Sequence, residues 1–118
     1  MSSYSRPLEV AHEHALRWLD SLGERPVPAQ ASIEQVVDAL GPDLPEHGCP
    51  PEEAVALLAE ASDAGLTAMA AGRFFGFVIG GTHPAAMAAD WLVSAWDQNA
   101  GLRTVTPAHS AVEDLAGA

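Results

Sequence analysis

The sequence predicts a mainly α chain: about five short helices joined by proline-rich straps, with one short extended aromatic segment. Three observations carry this expectation. Apolar residues return at helical spacing in three separate windows, as Leu8, Ala11, Ala15, Trp18 and Leu22, then Ile33, Val36, Val37 and Leu40, then Val55 and Leu58. Between these windows lie Pro26 with Pro28, and Pro42, Pro45, Pro50 and Pro51, whose fixed φ and missing N–H interrupt a helix. Phe74 to Ile79 is the short run that reads as extended, and Gly76 breaks it.

The first helix starts at Ser5 and Pro7 and stops at Gly23. His12, Glu13 and His14 lie inside it, but two residues two apart point about 200° away from each other on a helix. They therefore make solvated or partner-facing positions and no metal site. Glu24 to Ala31 carries prolines at alternate positions and reads as a polyproline-like strap. Ser32 and Gln35 have the spacing of a capping box, and Gly41-Pro42 ends the second helix. Asp43 to Pro51 is another proline-rich connection. Glu52 and Glu53 then occupy the first turn of a third helix, where the helix dipole favours negative charge, and the helix runs to Gly65.

Gly65 to Gly72 is small and apolar. After the extended aromatic run, Thr82 or His83 caps a fourth helix with Pro84 in its first turn, continuing through Met87, Trp91 and Ala95 to about Asp97. Except for Asp90, Ser94 and Asp97 that helix is apolar all round, a pattern that predicts burial on several sides. Thr106-Pro107 begins a fifth helix with Val112 and Leu115 inward and Glu113-Asp114 outward. The chain then reaches Ala118 without a cap or a basic last turn, an ending that reads as a cut through a longer protein.

Composition excludes several function classes. The formal net charge of -11 over 118 residues, with no basic stripe, argues against nucleic acid or an anionic membrane as partner. Residues 64–81 come nearest to a membrane span, but Arg73 sits among them and five glycines interrupt them. The one cysteine, Cys49, forms no disulfide within the chain, and the start lacks a signal-peptide core, so a reducing cytoplasm is the expected compartment. Cys49 also lacks the electropositive surroundings that activate a thiol. No dinucleotide, phosphate-loop, zinc or nucleophile-elbow motif occurs. All five cationic side chains are arginines, so any chemistry that needs an amine must find it elsewhere.

Arg73-Phe74-Phe75-Gly76-Phe77, the Gly80-Gly81 turn, Pro84 with Ala89-Asp90-Trp91-Leu92, Asp97-Gln98-Asn99 and Thr106-Pro107 form one block. This block resembles the N-terminal region of the group II pyridoxal-phosphate-dependent decarboxylases, the family of aromatic amino acid, histidine and glutamate decarboxylases. Residues 8–62 resemble its less specific helical preamble. The resemblance implies the N-terminal part of a fold type I, PLP-dependent transferase-like α/β enzyme. Residues 1–72 would be a dimer-embracing helical arm, and residues 73–118 the truncated start of the substrate-pocket and cofactor domain. It implies a cytoplasmic homodimeric lyase of amino acid (carboxylic acid) metabolism, joined through the N-terminal helices, with pyridoxal phosphate as cofactor and an amino acid as substrate. Phe77, Val78, Ile79 and Gly80 would touch substrate, while Asn99 and Gly101 would reach toward the neighbouring subunit's pocket. Aromatic amino acid decarboxylases carry larger aromatic and hydroxyl residues where this chain has Val78 and Gly80, which argues against an aromatic substrate.

Such an enzyme holds its cofactor on a lysine and faces the ring nitrogen with a carboxylate. This chain has no lysine, so the resemblance assigns it pocket wall and dimer contacts, no catalytic residue and no metal. The same residues decide nothing between carbon dioxide loss and amino transfer. Two other readings stand beside it. One is a small acidic helical interaction module whose aromatic stretch is a core or docking face. The other is a small-ligand site with His83 or His109 as its polar handle.

Overall fold

In the computed structural model, which describes residues 2–118, five α-helices are present: α1 (Ser5–Ser21), α2 (Ile33–Leu40), α3 (Pro51–Ser62), α4 (Pro84–Trp96) and α5 (Pro107–Ala116). One 3-10 turn over Asp63–Gly65 extends α3, and no strand occurs among the described residues. The mainly α expectation holds. The chain divides into two units, Met1–Gly81 and Thr82–Ala118.

In the first unit α3 is the centre, with α1 and α2 both packed on it. α2 forms where local chemistry dictates. The Ser32 hydroxyl accepts from the Gln35 N–H at 3.2 Å, the Gln35 side-chain oxygen accepts from the Ser32 N–H at 2.9 Å, and Gly41 at φ +88° ends the helix. Such a cap contributes about 1 kcal/mol, enough to fix where an eight-residue helix begins. Pro51 opens α3, with Glu52 and Glu53 in its first turn.

The strap over residues 24–31 is fastened by backbone hydrogen bonds. Gln30 and Ala31 both donate to the Ala64 carbonyl, at 2.7 and 2.9 Å, and Ala68 donates to the Val27 carbonyl at 2.8 Å. Ala68 is buried beside it, and Ala71 and Val10 of α1 are the other buried apolar residues among those described. The small side chain at 68 lets one irregular segment lie against another.

The core is therefore thin. Leu8, Val37 and Leu58, expected on inward faces, are exposed, while Val36 and Leu40 are half-buried. In the second unit no residue of α4 is buried, and on α5 Val112 and Leu115 are exposed, which corrects the inward placement. Thr106 and Ser110 are buried instead. The reason is one of area. Two folded units of this size would together expose about 7,200 Å² on the usual scaling of surface with mass, whereas the chain exposes 9187 Å². Five short helices have apolar faces but too little chain to cover them.

Two predictions follow from the packing of α2. A Cβ at Gly65 would lie 2.5 Å from Val36 Cγ2, and a β-branched side chain in a helix cannot rotate away freely. Gly65→Ala should lower stability by about 1–3 kcal/mol, and adding Val36→Ala should recover most of the loss in thermal unfolding. The Glu34 carboxyl is held below its ordinary value of 4.5, first by a hydrogen bond from its own backbone N–H and then by the Ser32 hydroxyl. The unfolded chain thus binds that proton more tightly than the folded one. The contribution is complete above 4.5 and drains away as pH falls through the lower folded value. The stability difference between wild type and Glu34→Gln should shrink over that window.

Candidate functional site

The aromatic stretch is rooted in α1. The Arg73 guanidinium donates to the carbonyls of Leu22, at 3.1 Å, and Arg25, at 2.9 Å, where the chain leaves that helix. A cation is favoured beside carbonyls that a helix C-terminus leaves unsatisfied. Phe74 then donates from its N–H to the Ala71 carbonyl at 3.0 Å. It is half-buried, with its ring 3.9 Å from where a Cβ on Gly76 would stand.

From Gly76 the chain departs from the extended run anticipated for Phe74 to Ile79. Ile79 donates to the Gly76 carbonyl at 3.2 Å, and the two residues between, Phe77 and Val78, both have positive φ, +53° and +57°. Two left-handed central residues closed by that hydrogen bond have the pattern of a type I′ turn, which ordinarily selects Asn-Gly. Phe-Val has none of that chemistry, and a β-branched residue at positive φ is strained. Gly81, at φ +86°, brings the chain back close to Ala70, whose Cα would lie 3.6 Å from an added Cβ.

The turn gathers Phe77, Val78, Ile79 and Gly80 into one tip that faces solvent. Phe77 is 87% and Val78 107% exposed, and Phe75 is also exposed. Four of the residues expected at a pocket wall are thus neighbours in one apolar projection.

Asn99 and Gly101 belong to the second unit. The His83 Nδ1 accepts from the Ala85 N–H at 3.2 Å, which makes His83 the cap of α4. Asp97 ends that helix in the left-handed region at φ +47°, a conformation acidic residues tolerate. The Asn99 side chain then accepts from the Gly101 N–H at 2.8 Å, forming an Asx turn. The buried Thr106 hydroxyl lies 2.6 Å from the Asn99 carbonyl and 2.9 Å from that of Leu102, tying this turn to the start of α5. On α4, Trp91 and Trp96 are 37% and 57% exposed, so this largely apolar helix is not enclosed. His109, the other histidine weighed as a ligand handle, is half-buried on α5.

A concave feature lies between α1 and α3. One groove of about 550 Å³ is lined by His14, Arg17, Trp18 and Arg25 on one side and by Glu60 and Asp63 on the other. An adjoining hollow of about 390 Å³ shares His14, Trp18 and Asp63 and adds Ala15, Leu58 and Leu66. On the groove's lining the Arg25 guanidinium sits 3.9 Å over the Trp18 ring and pairs with Asp63 at 3.1 Å. Sequence reasoning placed His14 only as half of a rejected metal pair. The spacing of His14, Trp18 and Ser21, at i, i+4 and i+7, is the signal that puts them along one face of α1, and Arg25 follows beyond the end of that helix.

Among the described residues no group of three or more His, Cys, Asp or Glu side chains is placed to hold a metal ion, and Cys49 is exposed and free. No helix among them is long and apolar enough to cross a membrane. The chain matches no family model, no curated protein and no solved structure.

Because Val78 is fully exposed at φ +57°, glycine there loses no packing and relieves the left-handed backbone. Val78→Gly should raise stability by about 1 kcal/mol, visible as an increase in Tm.

Proposed function

We propose that this chain is the N-terminal segment of a pyridoxal-phosphate-dependent amino acid decarboxylase, a carboxy-lyase that works as a cytoplasmic homodimer. The observation that carries the reading is the aromatic tip. Arg73 fixes its root to the end of α1, while Phe77 and Val78 stand in solvent at positions the family resemblance gives to a pocket wall, with Phe75 exposed beside them. A surface of that kind acquires a role when another polypeptide or a ligand covers it.

The residues present do not fit the cofactor by themselves. A Schiff base needs an amine, and every long cationic side chain here is an arginine. No catalytic step is therefore assigned to this chain. Its part is to bind and to exclude water. Phe77, Val78 and Ile79 supply an apolar wall for the substrate side chain, and Gly80 leaves room beside it. Val78 and Gly80 favour a substrate side chain other than an aromatic one. Asn99 and Gly101, locked in their Asx turn, would present a rigid polar loop to the neighbouring subunit, and α1 to α3 would meet that subunit's helices.

One observation favours a different reading. The first unit has its own closure, with α1 and α2 on α3 and the strap bonded to residues 64–68. That is what a free-standing acidic interaction module requires, with the exposed aromatic tip as its docking point.

The reading frame beyond Ala118 separates the two. The decarboxylase reading expects the frame to continue into a lysine-bearing domain whose product takes up pyridoxal phosphate and releases carbon dioxide from an amino acid. In that product Phe77→Ala should raise KM by about tenfold with a smaller change in kcat, as loss of ground-state binding does. A frame that stops at Ala118, or a longer product that leaves the cofactor's visible spectrum unchanged, would sink the decarboxylase and leave the module.

A further inference from the structure

The arginines of this chain are almost all spent. Arg6 pairs with Glu9, Arg25 with Asp63 and Arg103 with Asp114, while Arg73 is bound to two backbone carbonyls. Among the described residues Arg17 is the arginine bonded to neither a carboxylate nor a carbonyl. It donates at 3.1 Å to the Nδ1 of His14. Arginine has no acceptor, so the imidazole must accept at Nδ1 and keeps its proton on Nε2. The groove between α1 and α3 thus has, at Arg17, a full positive charge outside the three ion pairs of the described residues.

Across from Arg17 stands Glu60, a carboxylate outside the three ion pairs of the described residues. Asp63 beside it is already neutralised by Arg25. The Trp18 ring lines the same groove, held by the Arg25 guanidinium at 3.9 Å. The adjoining hollow is lined by Ala15, Leu58 and Leu66. An anion-binding end, a cation-binding end and an apolar floor occur together, in a depression of the size that small-molecule sites have.

We propose that this groove binds a free α-amino acid with an apolar side chain. The carboxylate lies on the Arg17 guanidinium, the ammonium on Glu60, and the side chain in the hollow against Trp18, Leu58 and Leu66. A fork of guanidinium donors matches a carboxylate. Net charge selects the zwitterion over a simple anion. A chain at -11 repels any net negative ligand over long range, whereas a zwitterion meets no such barrier. The site is built on α1 and α3 and does not depend on the role given to the turn at Phe77.

The test is a titration of the whole 118-residue chain with L-leucine, followed by 1H–15N spectra that resolve the three indole signals, with Trp18→Phe assigning the first. The Trp18 indole should shift and saturate at millimolar leucine. L-leucinamide, which lacks the carboxylate, and N-acetyl-L-leucine, which lacks the ammonium, should each bind about tenfold more weakly. Arg17→Gln should weaken leucine by about the same factor, and Glu60→Gln should weaken leucine while leaving N-acetyl-L-leucine unaffected. Arg17 and Glu60 are both exposed, so their replacement should leave the far-ultraviolet circular dichroism unchanged. A Trp18 signal that does not move, a shift that never saturates, or equal binding by Arg17→Gln would overturn the proposal.

Discussion

Arg25 is the residue on which the first unit turns. Its guanidinium lies 3.9 Å over the Trp18 ring, donates to the Ser21 hydroxyl at 3.1 Å and reaches the Asp63 carboxylate and carbonyl at the end of α3. Its own carbonyl accepts from Arg73. One residue thus joins the end of α1, the start of the strap and the end of α3 through its side chain, and the root of the aromatic turn through its carbonyl. The Arg25 side chain is 16% exposed, but Asp63 is half in solvent, so the ion pair alone adds at most about 1 kcal/mol. The stacking on Trp18 adds a similar amount. Geometry makes the greater difference. With Val10, Ala68 and Ala71 as the buried apolar residues of the unit, apolar packing is too sparse to fix the strap, and directional contacts take over that task.

The same shortage of apolar packing explains why the local features of the sequence were legible and the tertiary ones less so. The capping box of Ser32 and Gln35, the stop at Gly41, the acidic first turn of α3 and the proline starts of α4 and α5 depend on residues within a turn of each other, and all are present. Thr82 and His83 were equal candidates to cap α4; the imidazole does it. Val112 and Leu115 form an apolar stripe at helical spacing, but a stripe says only that burial would be favourable. It does not say whether the chain has anything to place there, and on α5 it does not.

Two parts of the candidate sites were hidden for distinct reasons. Arg25 and Asp63 are 38 positions apart, so the clasp has no local signature, and the groove it organises was visible only as scattered polar residues on two helices. The turn at Phe77 and Val78 was hidden because its residue types are wrong for it. Alternating apolar and glycine residues favour an extended run, and the left-handed pair appears against that preference.

That conflict has a scale. Two non-glycine residues in the left-handed region cost about 1–2 kcal/mol each. Covering Phe75, Phe77 and Val78, all exposed now, would return about 1.5–3 kcal/mol for each side chain. The gain exceeds the strain once a partner surface covers all three. A strained backbone that holds apolar side chains away from its own unit is therefore a net cost to the free chain and a net gain to an assembly. This inequality favours any reading in which something else closes over residues 75–78, whether the remainder of an enzyme or a separate protein, over one in which the tip belongs to a finished surface.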